Sequence, residues 1–139
     1  MASNSDQSDS RPDIVGRTRA LAVRVVKLCD YLDGIGRSAR RIADQLVRSG
    51  TSIGACVHES RSGESDADFV HKNQIALKEA RETAYWLDLL ADARLVDGRR
   101  LNPLRKEVDE VIRILVTIVV KTKKRAKGLA NPHESKKNF

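Results

Sequence analysis

The spacing that most resembles a metal site lies at Asp68 and His71. A carboxylate and a histidine three positions apart on a helix can bind a di-iron centre, but such centres need a second Glu-x-x-His motif and two further inward-facing carboxylates. The sequence has no second motif of this kind. His71 also falls opposite the small apolar residues of its helix. We therefore expect a surface histidine and no bound metal or cofactor.

A thiol beside an imidazole, at Cys56 and His58, is the second candidate for chemistry. Residues two apart on a helix project about 200° from each other, so the two groups do not form a nucleophile–base pair. The only other cysteine, Cys29, follows the apolar stripe of its helix and is interpreted as a small core residue. No glycine-rich phosphate loop, Walker pattern or GxSxG elbow occurs. We expect no catalytic residues and no enzymatic activity; an active site shared between subunits is the remaining enzymatic hypothesis.

Positive charge is the most informative chemical property of the chain, which has 26 Lys and Arg against 19 Asp and Glu and a net charge of +7. Clustered cations favour sequence-independent contact with phosphates. A lysine-rich helix end is also typical of a solvated terminus that interacts with the helix dipole, and this alternative stays open. The predicted nucleic-acid-binding residues are Lys121, Lys123, Lys124, Arg125 and Lys127, with a second group at Arg37, Arg40 and Arg41.

Four stretches of helical periodicity must position these residues. They cover about residues 12–32, 37–61, a third segment capped by Ser65, and 102–125, opened by Asn102 and Pro103. Short loops make consecutive helices antiparallel, so the predicted fold is all-α, an up-down-up-down four-helix bundle over residues 11–127. Residues 1–10 are predicted to be a disordered leader and 128–139 a flexible tail. The absence of a secretory leader and of an apolar run of membrane-spanning length indicates a cytoplasmic protein without membrane contact.

Two helices carry more apolar surface than one core needs. Apolar residues cover roughly 240° of helix four, and helix three has a second apolar side behind its alanine stripe. The first hypothesis is a homo-oligomer interface, and the alternative is a wide monomer core. The predicted interface residues are Ile75, Tyr85, Trp86, Leu89, Ile112, Val116 and Val119. The small residues Gly50 and Ala80 predict a close crossing of helices two and three.

Three segments of the sequence resemble a known family. They are residues 49–55 (SGTSIGA), the Ser65-x-x-Asp68-Phe69 pattern, and residues 75–87 (IALKEARETAYWL). They are similar to the bacterial four helix bundle protein family, which includes the 23S rRNA intervening-sequence proteins and is similar to the accessory variability proteins of diversity-generating retroelements. Glu79 and Glu82 match the family's motif, and we expect them to pair with arginines between helices.

The resemblance implies a non-enzymatic bundle that assembles as a homopentameric barrel. Relatives of the retroelement type bind nucleic acid and a reverse transcriptase through basic surfaces. We therefore expect a scaffold or accessory protein that binds RNA or DNA, with a reverse transcriptase or another protein as a further partner. The alternative is a protein-binding adaptor with no nucleic-acid role.

Overall fold

Four helices account for most of the chain. The computed structural model describes residues 13–62 and 65–130, and places α1 at Ile14–Asp33, α2 at Arg37–Ser60, α3 at Asp66–Asp92 and α4 at Gly98–Ala130. Consecutive helices pack side by side in antiparallel pairs, whereas α1 and α4 touch over a much smaller area. The predicted all-α, up-down-up-down four-helix bundle is confirmed. The predicted leader, residues 1–10, lies outside the described residues.

Short polar side chains begin three of the helices. Asp13 accepts a hydrogen bond from the Gly16 backbone N–H at 2.9 Å, and Ser65 accepts one from Asp68 at 3.1 Å. Both bonds satisfy backbone donors that have no partner inside the first helical turn. The predicted cap at Ser65 is therefore confirmed.

The prediction that Asn102 and Pro103 open helix four is wrong, since α4 begins at Gly98. The Asp97 carboxylate accepts from the Arg99 N–H at 2.9 Å and caps the helix earlier. Pro103 then lies in the second turn of α4 and has no N–H to donate to the Arg99 carbonyl oxygen. Arg99 is exposed, so the loss of this one helical hydrogen bond is tolerated. The helix also continues to Ala130, so residues 128–130 of the predicted tail are helical, and residues 131–139 lie outside the described part of the chain.

The helices enclose one aliphatic core, and ion pairs link them outside it. Fully buried leucines at positions 21, 46, 87 and 115 come from all four helices. Arg17 of α1 binds Glu107 of α4 at 2.7 Å. Between α2 and α3, Arg48 binds both Glu79, at 3.1 Å, and Glu82, as expected from their family pattern. Within the described residues, no buried side-chain nitrogen or oxygen lacks a hydrogen-bond partner.

The two glycines inside α2 allow a close contact with α1. A Cβ at Gly50 would lie 2.7 Å from Val25 Cγ1, and one at Gly54 would lie 3.3 Å from the Thr18 carbonyl oxygen. The predicted crossing of Gly50 with Ala80 of α3 is therefore wrong about the partner helix. The neighbouring residue faces α3 instead, because Ser49 Oγ accepts a hydrogen bond from Thr83 at 2.9 Å and adjacent helical residues point about 100° apart.

Candidate nucleic-acid interface

The last turns of α4 extend past the start of α1. Arg17 lies in the first turn of α1, and its bond to Glu107 marks how far α1 reaches along α4. Lys121 follows Glu107 by fourteen residues, which is about 21 Å of helix. The end of α4 therefore packs against α3 alone, with the end of α2 across a cavity from it, and its outer surface is left to solvent.

All five cations predicted on this part of α4 are exposed. At 100° per residue they spread over roughly 200° of the helix circumference rather than forming one row, and the side with Thr122 and Ala126 carries no cation. Lys121 and Arg125 line a cavity of about 550 Å³ between the ends of α2, α3 and α4. Lys123 and Lys127 line a second groove, of about 520 Å³, on the opposite side of α4 with His71 of α3. We call these five residues the α4 cationic cluster.

Only one member of the α4 cationic cluster has an acidic partner among the described residues. Arg125 Nη2 donates to Asp66 Oδ1 at 2.9 Å, which ties the end of α4 to the first turn of α3. The pair is exposed, and ion pairs of this kind contribute between zero and about 1 kcal/mol to stability. The four lysines leave a net positive charge at this end.

The second predicted group, at Arg37, Arg40 and Arg41, lies at the other end of the bundle. These arginines are exposed in the first turns of α2, whereas the α4 cationic cluster lies next to the end of α2. The 24 residues of α2 separate the two by about 35 Å. Arg40 also lines a cavity beside three carboxylates, those of Asp30, Asp33 and Asp44. The structure therefore does not join the two groups into one surface.

Two residues that the sequence interpretation missed, Arg61 and Phe69, line the same cavity as Lys121 and Arg125. Arg61 follows the last residue of α2, and Phe69 lies in the first turn of α3. The antiparallel topology could have identified Arg61, because the turn between α2 and α3 lies at the same end of a bundle as the end of α4.

The predicted interface residues lie on two different sides of α3. Trp86 Nε1 donates to Glu82, whose carboxylate binds Arg48 of α2, so this side faces α2. Asp88 binds Arg105 of α4 and projects about 200° from Trp86. On α3, Ile75 and Leu89 lie on the same side as Trp86. On α4, Ile112 and Val116 lie on the same side as Arg105. All four apolar residues are half-buried. Tyr85 is 58% exposed, whereas Val119 is only 7% exposed and belongs to the chain's own interior, contrary to its predicted place on an outer face.

The candidates for chemistry are not assembled into a site. Burial raises the pKa of the Cys56 thiol, which opposes thiolate formation. Cys29 is buried, its Sγ donates to the Ala43 carbonyl oxygen at 3.5 Å, and burial raises its pKa to about 11. Within residues 13–62 and 65–130, no group of three His, Cys, Asp or Glu side chains is placed to hold a metal ion. No helix in the described part of the chain is long and apolar enough to cross a membrane.

Comparisons with known proteins give a family and a fold. The model of a family described as 23S rRNA-intervening sequence protein matches residues 11–117. A crystal structure of a protein of unknown function from the S23 ribosomal protein family of Bacteroides thetaiotaomicron superposes with a TM-score of 0.71 at 34% identity, over 76% of this chain and 97% of that one. No curated protein matches the chain. The α4 cationic cluster, at 121–127, begins after the family match ends.

Proposed function

Since this chain belongs to the 23S rRNA-intervening sequence protein family, we propose that it is a non-enzymatic accessory protein that binds RNA through phosphates at the end of α4. The observation that supports the proposal is the α4 cationic cluster itself. It places five exposed basic side chains on two helical turns, and only Arg125 is paired with a carboxylate among the described residues.

The chemistry of the cluster favours phosphate contact without base recognition. Lysines make point-charge contacts with phosphates, and each neutralised phosphate releases condensed counterions from the strand. The cations spread over more than half of the helix circumference, so they can track a backbone but do not form a fixed pattern that distinguishes bases. We expect binding that is sensitive to salt and nearly independent of sequence, with DNA binding by the same contacts.

Self-association is the second part of the proposal. The exposed apolar side chains Val23, Val26 and Tyr85 lie on the outside of α1 and α3, where a second copy can cover them. A homopentamer, as the resemblance implies, would present five cationic clusters. Weak contacts on separate subunits then sum through avidity along one strand. Light scattering tests this part directly, and a monomer at micromolar concentration would contradict it.

The RNA-binding experiment compares two variants that lose the same charge at opposite ends of the bundle. The first carries Lys123→Ala, Lys124→Ala and Lys127→Ala. The matched control carries Arg37→Ala, Arg40→Ala and Arg41→Ala. Both variants lower the net charge by three. A difference between their RNA affinities therefore reports where the charge lies and not how much charge the protein carries.

We expect the lysine variant to lose most of its affinity for a single-stranded RNA and the arginine control to retain it. The slope of log affinity against log salt should fall by about 2 for the lysine variant, since each lost phosphate contact removes roughly 0.7 on single strands. Equal binding and equal slopes for wild type and the lysine variant would show that the cluster is only a solvated helix end. The protein-binding adaptor would then be the better explanation of the chain.

A further inference from the structure

The cavity beside the α4 cationic cluster combines charge with an aromatic surface. Its walls come from three parts of the chain: Arg61 just after α2, Phe69 in the first turn of α3, and Lys121 and Arg125 in α4. Its volume of about 550 Å³ is in the range of sites that hold small organic molecules. Phe69 and Ile118 are half-buried and give the cavity an apolar part.

The charges of this cavity favour an anion. Arg125 is paired with Asp66, the one carboxylate among the described residues of the lining, so these two largely offset each other. Arg61 and Lys121 are both exposed, and within the described residues neither forms an ion pair. These two exposed cations suit a phosphate group.

The buried hydroxyls of the cavity favour a partner that donates hydrogen bonds. Ser60 Oγ donates to the Val57 carbonyl oxygen at 2.6 Å, and Thr122 Oγ1 donates to the Ile118 carbonyl oxygen at 2.8 Å. With their protons engaged, both oxygens can only accept, and they can do so only over the small exposed fraction of each residue, 2% for Ser60 and 7% for Thr122. Base N–H groups and the ribose 2′-hydroxyl are donors of the required kind. A phosphate oxygen is not, so the phosphate belongs at Arg61 and Lys121.

We propose that this cavity holds one nucleotide of a bound single strand, with its phosphate at Arg61 and Lys121 and its base against the ring of Phe69. The inference rests on the proposed RNA binding and adds a defined subsite to it. Stacking on an aromatic ring tolerates any base, because every base has a π-face. The subsite therefore adds affinity and fixes the strand's position without adding strong sequence preference.

The test uses the full chain and a twelve-nucleotide RNA in which one base is the fluorescent analogue 2-aminopurine. Phe69→Leu removes the ring and keeps an apolar side chain, while Phe69→Tyr keeps an aromatic face. Tyr31→Leu, at the opposite end of the bundle, is the matched control for losing an aromatic residue. Circular dichroism and melting establish that each variant is folded.

We expect Phe69→Leu to abolish the fluorescence change on binding and to weaken affinity on the order of tenfold, with the salt slope unchanged. Phe69→Tyr and Tyr31→Leu should behave as wild type. Arg61→Ala should lower the salt slope by about 0.7, as loss of one phosphate contact requires. A fluorescence change that survives in a folded Phe69→Leu variant would overturn the subsite.

A second measurement on wild-type protein decides the question even if Phe69→Leu does not fold. RNA containing 4-thiouracil is photocrosslinked to the chain, and the attached peptide is identified by mass spectrometry. Attachment at Phe69 or at another residue that lines the cavity supports the subsite, and attachment confined to residues outside the cavity contradicts it. RNA binding that depends on the lysines but not on Phe69 would refute the subsite alone, whereas absence of RNA binding by wild type would refute the proposed function.

Discussion

At Gly50, in the middle of α2, an added Cβ would come within 2.7 Å of a Val25 methyl carbon, whereas at Gly128, near the end of α4, an added Cβ would meet no atom within 4 Å. We refer to these two places as the α1–α2 contact and the α4 end. Val25 is fully buried and its side chain has one strongly preferred rotamer in a helix. Side chains at the α4 end are bounded by solvent on most sides.

The difference in packing between the two regions predicts that one of them determines stability and the other determines binding. Close-packed contacts leave neighbouring atoms no room to move, so substitutions there change the free energy of unfolding. Exposed charges contribute little to that free energy, but they set the electrostatic potential that a polyanion meets. We therefore expect the α1–α2 contact to govern folding and the α4 end to govern binding.

The largest expected effect is at the α1–α2 contact. Gly50→Leu should lower the free energy of unfolding by roughly 3 kcal/mol, despite the better helix propensity of leucine, because its side chain overlaps Val25. Denaturant unfolding measures the change. Gly128→Ala is the matched control and should be neutral or slightly stabilising. Gly50→Ala should also lower the free energy of unfolding, and adding Val25→Ala to it should restore part of that loss by removing the methyl groups that the new Cβ meets. If the double variant restores nothing, the contact with Val25 is not the cause of the loss.

A smaller loss is expected where α1 meets α4. Glu107→Ala removes the partner of Arg17, two side chains that are each about one-fifth exposed. Because a hydrogen-bonded, partly buried charge is left without its partner, we expect a loss of about 1–2 kcal/mol. Glu110→Ala, which removes a more exposed carboxylate on the same helix, should change the unfolding free energy less. Equal effects of the two substitutions would show that the link between α1 and α4 is not specific.

A third effect, confined to alkaline pH, is expected at Cys29, whose thiol donates to Ala43 of α2. Burial raises the pKa of Cys29 from 9.0 to about 11, so the folded chain favours the protonated thiol. The stability gained by burying the protonated thiol is complete below pH 9 and is lost as pH rises toward 11. The stability of wild type should therefore fall relative to Cys29→Ala over this interval, as measured by denaturant unfolding below pH 9 and near pH 11. A constant difference between the two proteins would contradict the buried position of the thiol.

The smallest effect is expected at the α4 end. The triple substitution Lys123→Ala, Lys124→Ala and Lys127→Ala should leave the free energy of unfolding within about 0.5 kcal/mol of wild type. The same variant should lose RNA affinity, which is the sharpest contrast with Gly50→Leu. A melting temperature lowered as much as in Gly50→Leu would remove the distinction between the two regions.

Local chemistry explains which parts of the helices were predictable. Periodic apolar residues predicted all four helices, and Ser65 predicted the start of α3, because a capping hydroxyl acts within a few residues of itself. The start of α4 was misplaced because two capping signals compete there. Asp97 satisfies the first backbone donors before Asn102 can, and Pro103 is tolerated inside the helix.

The candidate site was predictable in part for the same reason. The α4 cationic cluster is contiguous in sequence, and its exposure followed from the end of the apolar stripe. The antiparallel topology places Arg61 at the end of the bundle where α4 ends, but the cavity itself was not predictable, since only the packing of the helices brings Arg61, Phe69 and Lys121 to one opening. The structure places Phe69, half-buried, at a cationic cavity.

The sequence by itself determined the four helices, their antiparallel order and the excess of positive charge at one end, because periodicity, loop length and charge are properties of neighbouring residues. Tertiary structure alone decided that Gly50 meets α1 and not α3, that Trp86 and Ile112 lie on different sides of α3, and that α4 extends past α1. The physical reason is that periodicity fixes the angle at which a side chain leaves its helix. The neighbour that it meets depends on how far each helix reaches and how the helices cross.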